Sequence, residues 1–168
     1  MEGIHAALTA LSDQTITYLQ EQLSGISDYR IANTLLIDMC GIERFFANSK
    51  EWQHFRRGLH GETRREQQTQ ARREYGDFQT PSVLADAVCA YLRNQNRQPK
   101  IVVEPTCGTG AFLLSALQHF PSLQVVYGVE IYAPYYWETK GRILERAVAC
   151  PKASRPRIIL TCDDVFTH

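Results

Sequence analysis

KIVVEPTCGTGAFLL, residues 100–114, is the stretch whose reading decides the fold. Ile101, Val102 and Val103 form a β-branched run suited to a strand. Residues 104–110 are polar and contain Gly108 and Gly110, and an apolar segment follows over 111–120. The pattern predicts a strand, a tight loop and a helix, the first half of a βαβ unit. The two glycines let the backbone turn sharply and leave N–H groups open at the positive end of the helix. A ligand can approach there without meeting a side chain.

The spacing E-x-x-x-G-x-G narrows the ligand. Leu113 stands where G-x-G-x-x-G has its third glycine, and no Gly-Lys-Ser/Thr follows, so neither the dinucleotide fingerprint nor the P-loop is matched. Glu104, at the strand's carboxyl end, offers an acceptor for an ammonium or a hydroxyl and disfavours phosphate. Residues 125–129 read as a second strand ending at Glu130, where an acid can grip ribose hydroxyls. Residues 158–160 read as a third. These features describe a nucleoside site with no phosphate to hold. The fold expected is α/β, a partial Rossmann-like sheet of three parallel strands in the order 3-2-1, with a helical N-terminal extension.

Residues 104–113 resemble the cofactor loop of S-adenosylmethionine-dependent DNA amino-methyltransferases, particularly the adenine-N6 enzymes of restriction-modification and related phage-defence systems. Tyr75-Gly76-Asp77-Phe78-Gln79-Thr80-Pro81 is similar to the segment preceding the core in those enzymes, and Cys162-Asp163-Asp164-Val165-Phe166 resembles their third strand end. The resemblance covers residues 75–166. It implies S-adenosylmethionine as cofactor, with Phe78, Thr80 and Pro81 around the methionine end. It implies a loop of Glu104, Pro105, Thr106, Cys107, Gly108, Gly110 and Phe112. Glu130 would take the ribose, Ile131 or Tyr132 would cover the adenine, and Asp163 would meet its amine.

In the same family a later strand ends in an Asn/Asp-Pro-Pro-aromatic segment that binds the target amine. No such segment occurs in these 168 residues. The expectation is therefore a truncated methylase: a helical extension over 1–74 and the N-terminal half of the cofactor domain over 75–168, binding cofactor but inactive alone. The complete protein would methylate adenine N6 in double-stranded DNA, with a specificity or nuclease module as partner. Strand 1 would be left as an edge open to artefactual pairing with a second copy. Two other classes stay open: a methyltransferase for RNA, protein or another substrate, and a noncatalytic module that binds DNA or a partner.

Composition fits an ordinary globular chain. Formal charge is zero, which excludes a uniformly basic nucleic-acid surface but not local patches. The absence of a long apolar run argues against a membrane span and for a cytoplasmic location. Cys40, Cys89, Cys107, Cys150 and Cys162 contain no C-x-x-C pair, so reduced thiols and no metal site are expected.

Helical periodicity marks 13–23, stopped by Gly25, and a longer helix capped by Ser27 in which Ile31, Leu35, Met39, Ile42 and Phe46 recur. Arg56, Arg57, Arg64, Arg65, Arg72 and Arg73 form a stripe that either contacts DNA phosphates or, interleaved with acids, faces solvent. Thr80 reads as an N-cap with Pro81 at the first helical position. Val83, Leu84, Ala87, Val88 and Tyr91 would then lie on the sheet.

Overall fold

The computed structural model describes residues 3–62, 79–151 and 155–167. Arg64, Arg65, Arg72, Arg73 and Phe78 lie outside the described residues. The elements are α1 (Ile4–Thr9), α2 (Asp13–Gln22), α3 (Tyr29–Cys40), α4 (Ser49–Leu59), α5 (Ser82–Asn94), β1 (Ile101–Glu104), α6 (Ala111–His119), β2 (Val125–Val129), α7 (Ala133–Ala149) and β3 (Arg157–Thr161).

The strands pair in parallel, Ile101 beside Val125 and Val125 beside Arg157. Where 3-2-1 is expected, the sheet runs β1-β2-β3 in the order in which the chain forms its strands, the same neighbours counted from the other edge. The crossover helices α6 and α7 pack against one another, Arg146 of α7 donating to the Leu117 carbonyl of α6 at 2.7 Å, so each connection advances the sheet in the same direction. No reversal of winding, and hence no topological switch point, occurs among the described residues. The α/β character holds. Val102, Val126 and Ile158 face the helices, whereas Ile101 and Val103 on the opposite face remain 61% and 60% exposed.

The outer edge of β3 is closed by the chain leaving α3. Gly41 accepts from Ile158 N at 2.8 Å, Glu43 N donates to the Ile158 carbonyl at 3.0 Å, and Glu43 pairs with Arg157. This corrects the long helix expected through Phe46. Gly41 takes φ 81°, which ends α3, and a Cβ there would run into the Pro156 carbonyl. Asp28 rather than Ser27 caps that helix, accepting from Arg30 N at 2.8 Å. The buried residues of α3 are Ala32, Leu36 and Cys40. Freed from the helix, Phe45 and Phe46 enter one core with Trp52, Phe55 and Trp137.

Two readings of α5 are also corrected. The helix begins at Ser82 with Pro81 as its N-cap residue and no side-chain cap, one position later than expected. Its buried side is Ala85 and Cys89, whose small size permits close approach to α6. Val83, Leu84 and Tyr91 are 82%, 54% and 63% exposed, so the larger apolar residues face outward.

The N-terminal helices and the sheet share this core through α7. Gly141 lies against the Ala7 backbone so closely that a Cβ would overlap it. Lys140 is buried where the 41–48 connection meets α7, its ammonium donating to the Phe45 carbonyl at 2.7 Å and the Arg44 carbonyl at 3.1 Å. The same nitrogen is 4.1 Å from the centre of the Tyr136 ring and 4.5 Å from that of Trp137, an arrangement that satisfies a cation with carbonyl dipoles and π faces.

Candidate cofactor site

The carboxyl ends of the three strands gather the loop and both acids that the sequence singled out. After β1 the chain turns through Gly108 and Gly110, both left-handed at φ 53° and 79°. Cys107 N donates to the Val129 carbonyl at 2.8 Å, which ties the loop to the end of β2, and Gly110 N donates back to the Cys107 carbonyl at 2.8 Å. Three side chains from outside hold the loop's other polar groups. Thr139 Oγ1 donates to the Gly108 carbonyl at 2.9 Å, Arg142 donates to the Thr109 carbonyl at 2.6 Å, and Gln79 Oε1 accepts from Thr109 N at 2.9 Å. A Cβ on Gly108 would overlap Gln79, and one on Gly110 would lie 2.8 Å from Thr139 Cγ2. Both positions carry the left-handed φ that favours glycine, and at Gly110 the Thr139 side chain also stands in the way of a Cβ.

Glu130 is the acid most closely joined to this loop. It is 8% exposed, and its Oε2 accepts from Gly108 N at 2.7 Å while Oε1 accepts from Tyr132 N at 2.8 Å. Each oxygen keeps acceptor capacity for a further donor. The backbone of Glu130 bridges to β3, its N–H donating to the Thr161 carbonyl at 3.0 Å and its carbonyl accepting from Asp163 N at 3.2 Å. Asp163 is exposed and its Oδ1 accepts from Asp164 N at 2.8 Å. Ile131 is 55% exposed beside Glu130. Glu130, Ile131, Asp163, Cys107 and Gly108 are thus brought to one end of the sheet.

Glu104 occupies a different surrounding. Burial pushes its carboxyl up to about 7, opposed by a hydrogen bond from the Leu113 backbone, and its Oε2 is buried without a partner. With Pro105 and Phe112 it lines a groove of about 710 Å³ along the outer side of β1, a lining that does not include Glu130. Thr106 is exposed next to the loop. Burial, reinforced by Glu104 and Glu130, pushes the Cys107 thiol up to about 12, so it stays protonated at neutral pH. Thr80 is half-buried and Pro81 exposed at the start of α5.

Sequence reasoning missed Gln79, Thr139 and Arg142 as loop-holding residues. Thr139 and Arg142 are three apart on α7 and so share a face, but that spacing carries meaning only once α7 is known to lie over the loop. No cluster of metal-ligating side chains occurs among the described residues.

No protein-family model matches the chain. Over 69 residues, 41% of its length, it is 44% identical to the Type II methyltransferase M.NspV of Nostoc sp. (strain ATCC 29411 / PCC 7524). It covers 14% of that protein. Two solved structures show weaker likeness. A modification subunit of a putative type I restriction enzyme from Vibrio vulnificus YJ016 gives a TM-score of 0.40 at 19% identity, over 69% of this chain and 23% of the other. A putative class I S-adenosylmethionine-dependent methyltransferase from Listeria monocytogenes gives 0.44 at 17% identity, over 98% and 54%. Over part of its length, then, the chain is related to a methyltransferase.

Proposed function

We propose that this chain is the S-adenosylmethionine-binding portion of a DNA adenine-N6 methyltransferase. The observation that carries the reading is the contact between Glu130 and Gly108 N, which sets an acid with spare acceptor capacity beside a glycine loop at the start of α6. A nucleoside needs an acceptor for its ribose hydroxyls and a side-chain-free surface for its sulfur-bearing arm, and these residues supply both. The 69-residue similarity to a type II methyltransferase supports the class.

In this reading Glu130 accepts from the ribose diol, Asp163 accepts from the adenine amine, and Ile131 covers the adenine face. Thr106, Gly108 and Gly110 line the methionine arm, with Thr80, Pro81 and Phe78 closing that end. The cofactor supplies an electrophilic methyl group, so the protein's task is orientation. The helices α1 to α4 act as an extension of the cofactor domain. The target-binding loop, double-stranded DNA and any specificity or nuclease module belong to the complete enzyme, and this chain by itself transfers no methyl group.

Calorimetric titration with S-adenosylhomocysteine tests the reading. Wild type binds, and Glu130→Ala loses about 1.5–3 kcal/mol, the scale of a hydrogen bond to a charged group. Because Glu130 also holds the loop, Asp163→Asn serves as an independent probe that should weaken the adenine end with the fold unchanged. Absence of binding by the wild type in the complete enzyme sinks the cofactor assignment, and binding indifferent to both substitutions sinks the roles.

A further inference from the structure

We infer that Gln79 is a positioning residue that selects for the amino-acid arm of the cofactor, by fastening Thr80 and Pro81 to the glycine loop; the inference rests on the proposed function. Gln79 Oε1 accepts from Thr109 N at 2.9 Å, across 30 residues of chain. Its amide also lies against Gly108. Cδ and Nε2 stand 3.1 and 3.2 Å from where a Cβ of that residue would be, and Oε1 stands closer. One side chain thus reaches two successive residues of the loop.

Packing does little to hold the segment that carries Gln79. Gln79, Pro81, Ser82, Val83 and Leu84 are exposed and Thr80 is half-buried, so Ala85 is the first buried residue of α5. The helix also starts without a side-chain cap. Ahead of Ala85, the bond from Thr109 to Gln79 carries the attachment to the loop. The loop has anchors of its own. Cys107 N donates to the Val129 carbonyl, Gly108 N donates to Glu130, and Thr139 and Arg142 hold the Gly108 and Thr109 carbonyls. Loss of the Gln79 bond therefore leaves the loop in place and releases Thr80 and Pro81.

Two acceptors divide the loop between the two parts of the ligand. Gly108 N is taken by Glu130, the acid to which the ribose is assigned. Thr109 N, one residue on, is taken by Gln79, next to the two residues assigned to the methionine end. Consecutive amides are thus bound from two different elements of the fold. A wall fastened before the ligand arrives costs no ordering on binding, so Gln79 favours whatever touches Thr80 and Pro81. The adenine and ribose, held through β2 and β3, do not depend on it.

Calorimetric titration compares S-adenosylhomocysteine with 5′-methylthioadenosine, which keeps the adenine, ribose and sulfur but lacks the amino-acid arm. Gln79→Leu removes the acceptor and should weaken S-adenosylhomocysteine by about three- to tenfold, the scale of a neutral hydrogen bond, while 5′-methylthioadenosine binds as before. Gln79→Glu keeps an acceptor for Thr109 N and should retain the preference for the longer ligand. Gln79 is exposed, so neither substitution touches the core. Equal losses for both ligands show a general support of the loop and overturn the inference, as does no loss for either. A gain for S-adenosylhomocysteine with Gln79→Leu overturns it too, since the amide would then compete with the arm. So does a Gln79→Glu variant as weak as Gln79→Leu. A wild type that binds neither ligand fails on the cofactor reading itself and takes the inference with it, whereas binding of both with an unmoved ratio sinks the inference alone.

Discussion

Thr139 is set against Gly110 so that its hydroxyl donates to the Gly108 carbonyl while its methyl group fills the space a Gly110 side chain would need. One side chain thus enforces glycine at one position and fixes the peptide two residues earlier. Gly110→Ala should cost about 1–3 kcal/mol, because the left-handed φ penalises any Cβ and the Thr139 methyl stands in its path. Thr139→Ser removes that methyl, so the alanine should cost less in the serine background. A double-mutant cycle by urea unfolding reads the coupling; strict additivity would show that the methyl contact contributes nothing.

The hydroxyl has its own consequence. Thr139→Val keeps the shape and leaves the Gly108 carbonyl without its donor, a loss of about 1–3 kcal/mol where that group is screened from water. Thr139→Ser should restore it. S-adenosylhomocysteine affinity should follow the same ranking, with threonine and serine near each other and valine weaker. Equal affinity for all three would mean that the loop keeps its form without α7.

What could be read from the sequence was what depends on local chemistry. Ile101, Val102 and Val103 announce a strand, the paired glycines announce the turn, and Glu130 follows a second β-branched run closely enough to be placed at a strand end. What could not be read depends on which neighbour arrives. The apolar stripe of α3 continues into Ile42, Phe45 and Phe46, yet Gly41 ends the helix because Ile42 pairs with β3. On α5 the larger apolar residues suggest the inner face, but the close approach of α6 selects Ala85 and Cys89. Glu104 and Glu130 look alike as strand-end acids. Only the fold separates one that holds the loop amide from one that lines the groove beside β1.

Lys140 gives a test of how the N-terminal segment is joined to α7. Lys140→Met keeps most of the packing and leaves the Arg44 and Phe45 carbonyls without a donor, which should cost about 1–3 kcal/mol at neutral pH. Burial holds the Lys140 pKa down to about 7, with Glu51 working in the other direction. Between about 7 and the ordinary value of 10.5 the unfolded chain binds the proton that the folded chain has released, so this residue makes stability rise with pH across that window. The Met variant should lack that rise. Thermal unfolding at pH 7 and pH 9 gives the comparison, and an identical pH response in the two proteins would show that the buried amine keeps its proton throughout.

Glu104 should produce the opposite slope at lower pH. Its folded pKa is raised from 4.5 to about 7 by burial, so below 4.5 the carboxyl is protonated in both states and its stabilising contribution is fully present. As pH rises through the interval, the unfolded chain ionises first while the folded chain retains its proton, and stability falls until the folded group also ionises near 7. Glu104→Gln preserves the shape without a titrating group. Its stability relative to wild type should therefore increase from about pH 4.5 to about pH 7 and level off above. Denaturant midpoints measured for both proteins at half-unit intervals isolate this residue, since every other group titrates in both. A difference that stays constant across the interval would mean that Glu104 ionises as freely in the folded chain as in the unfolded one, and that its Oε2 is reached by water or a cation rather than left bare.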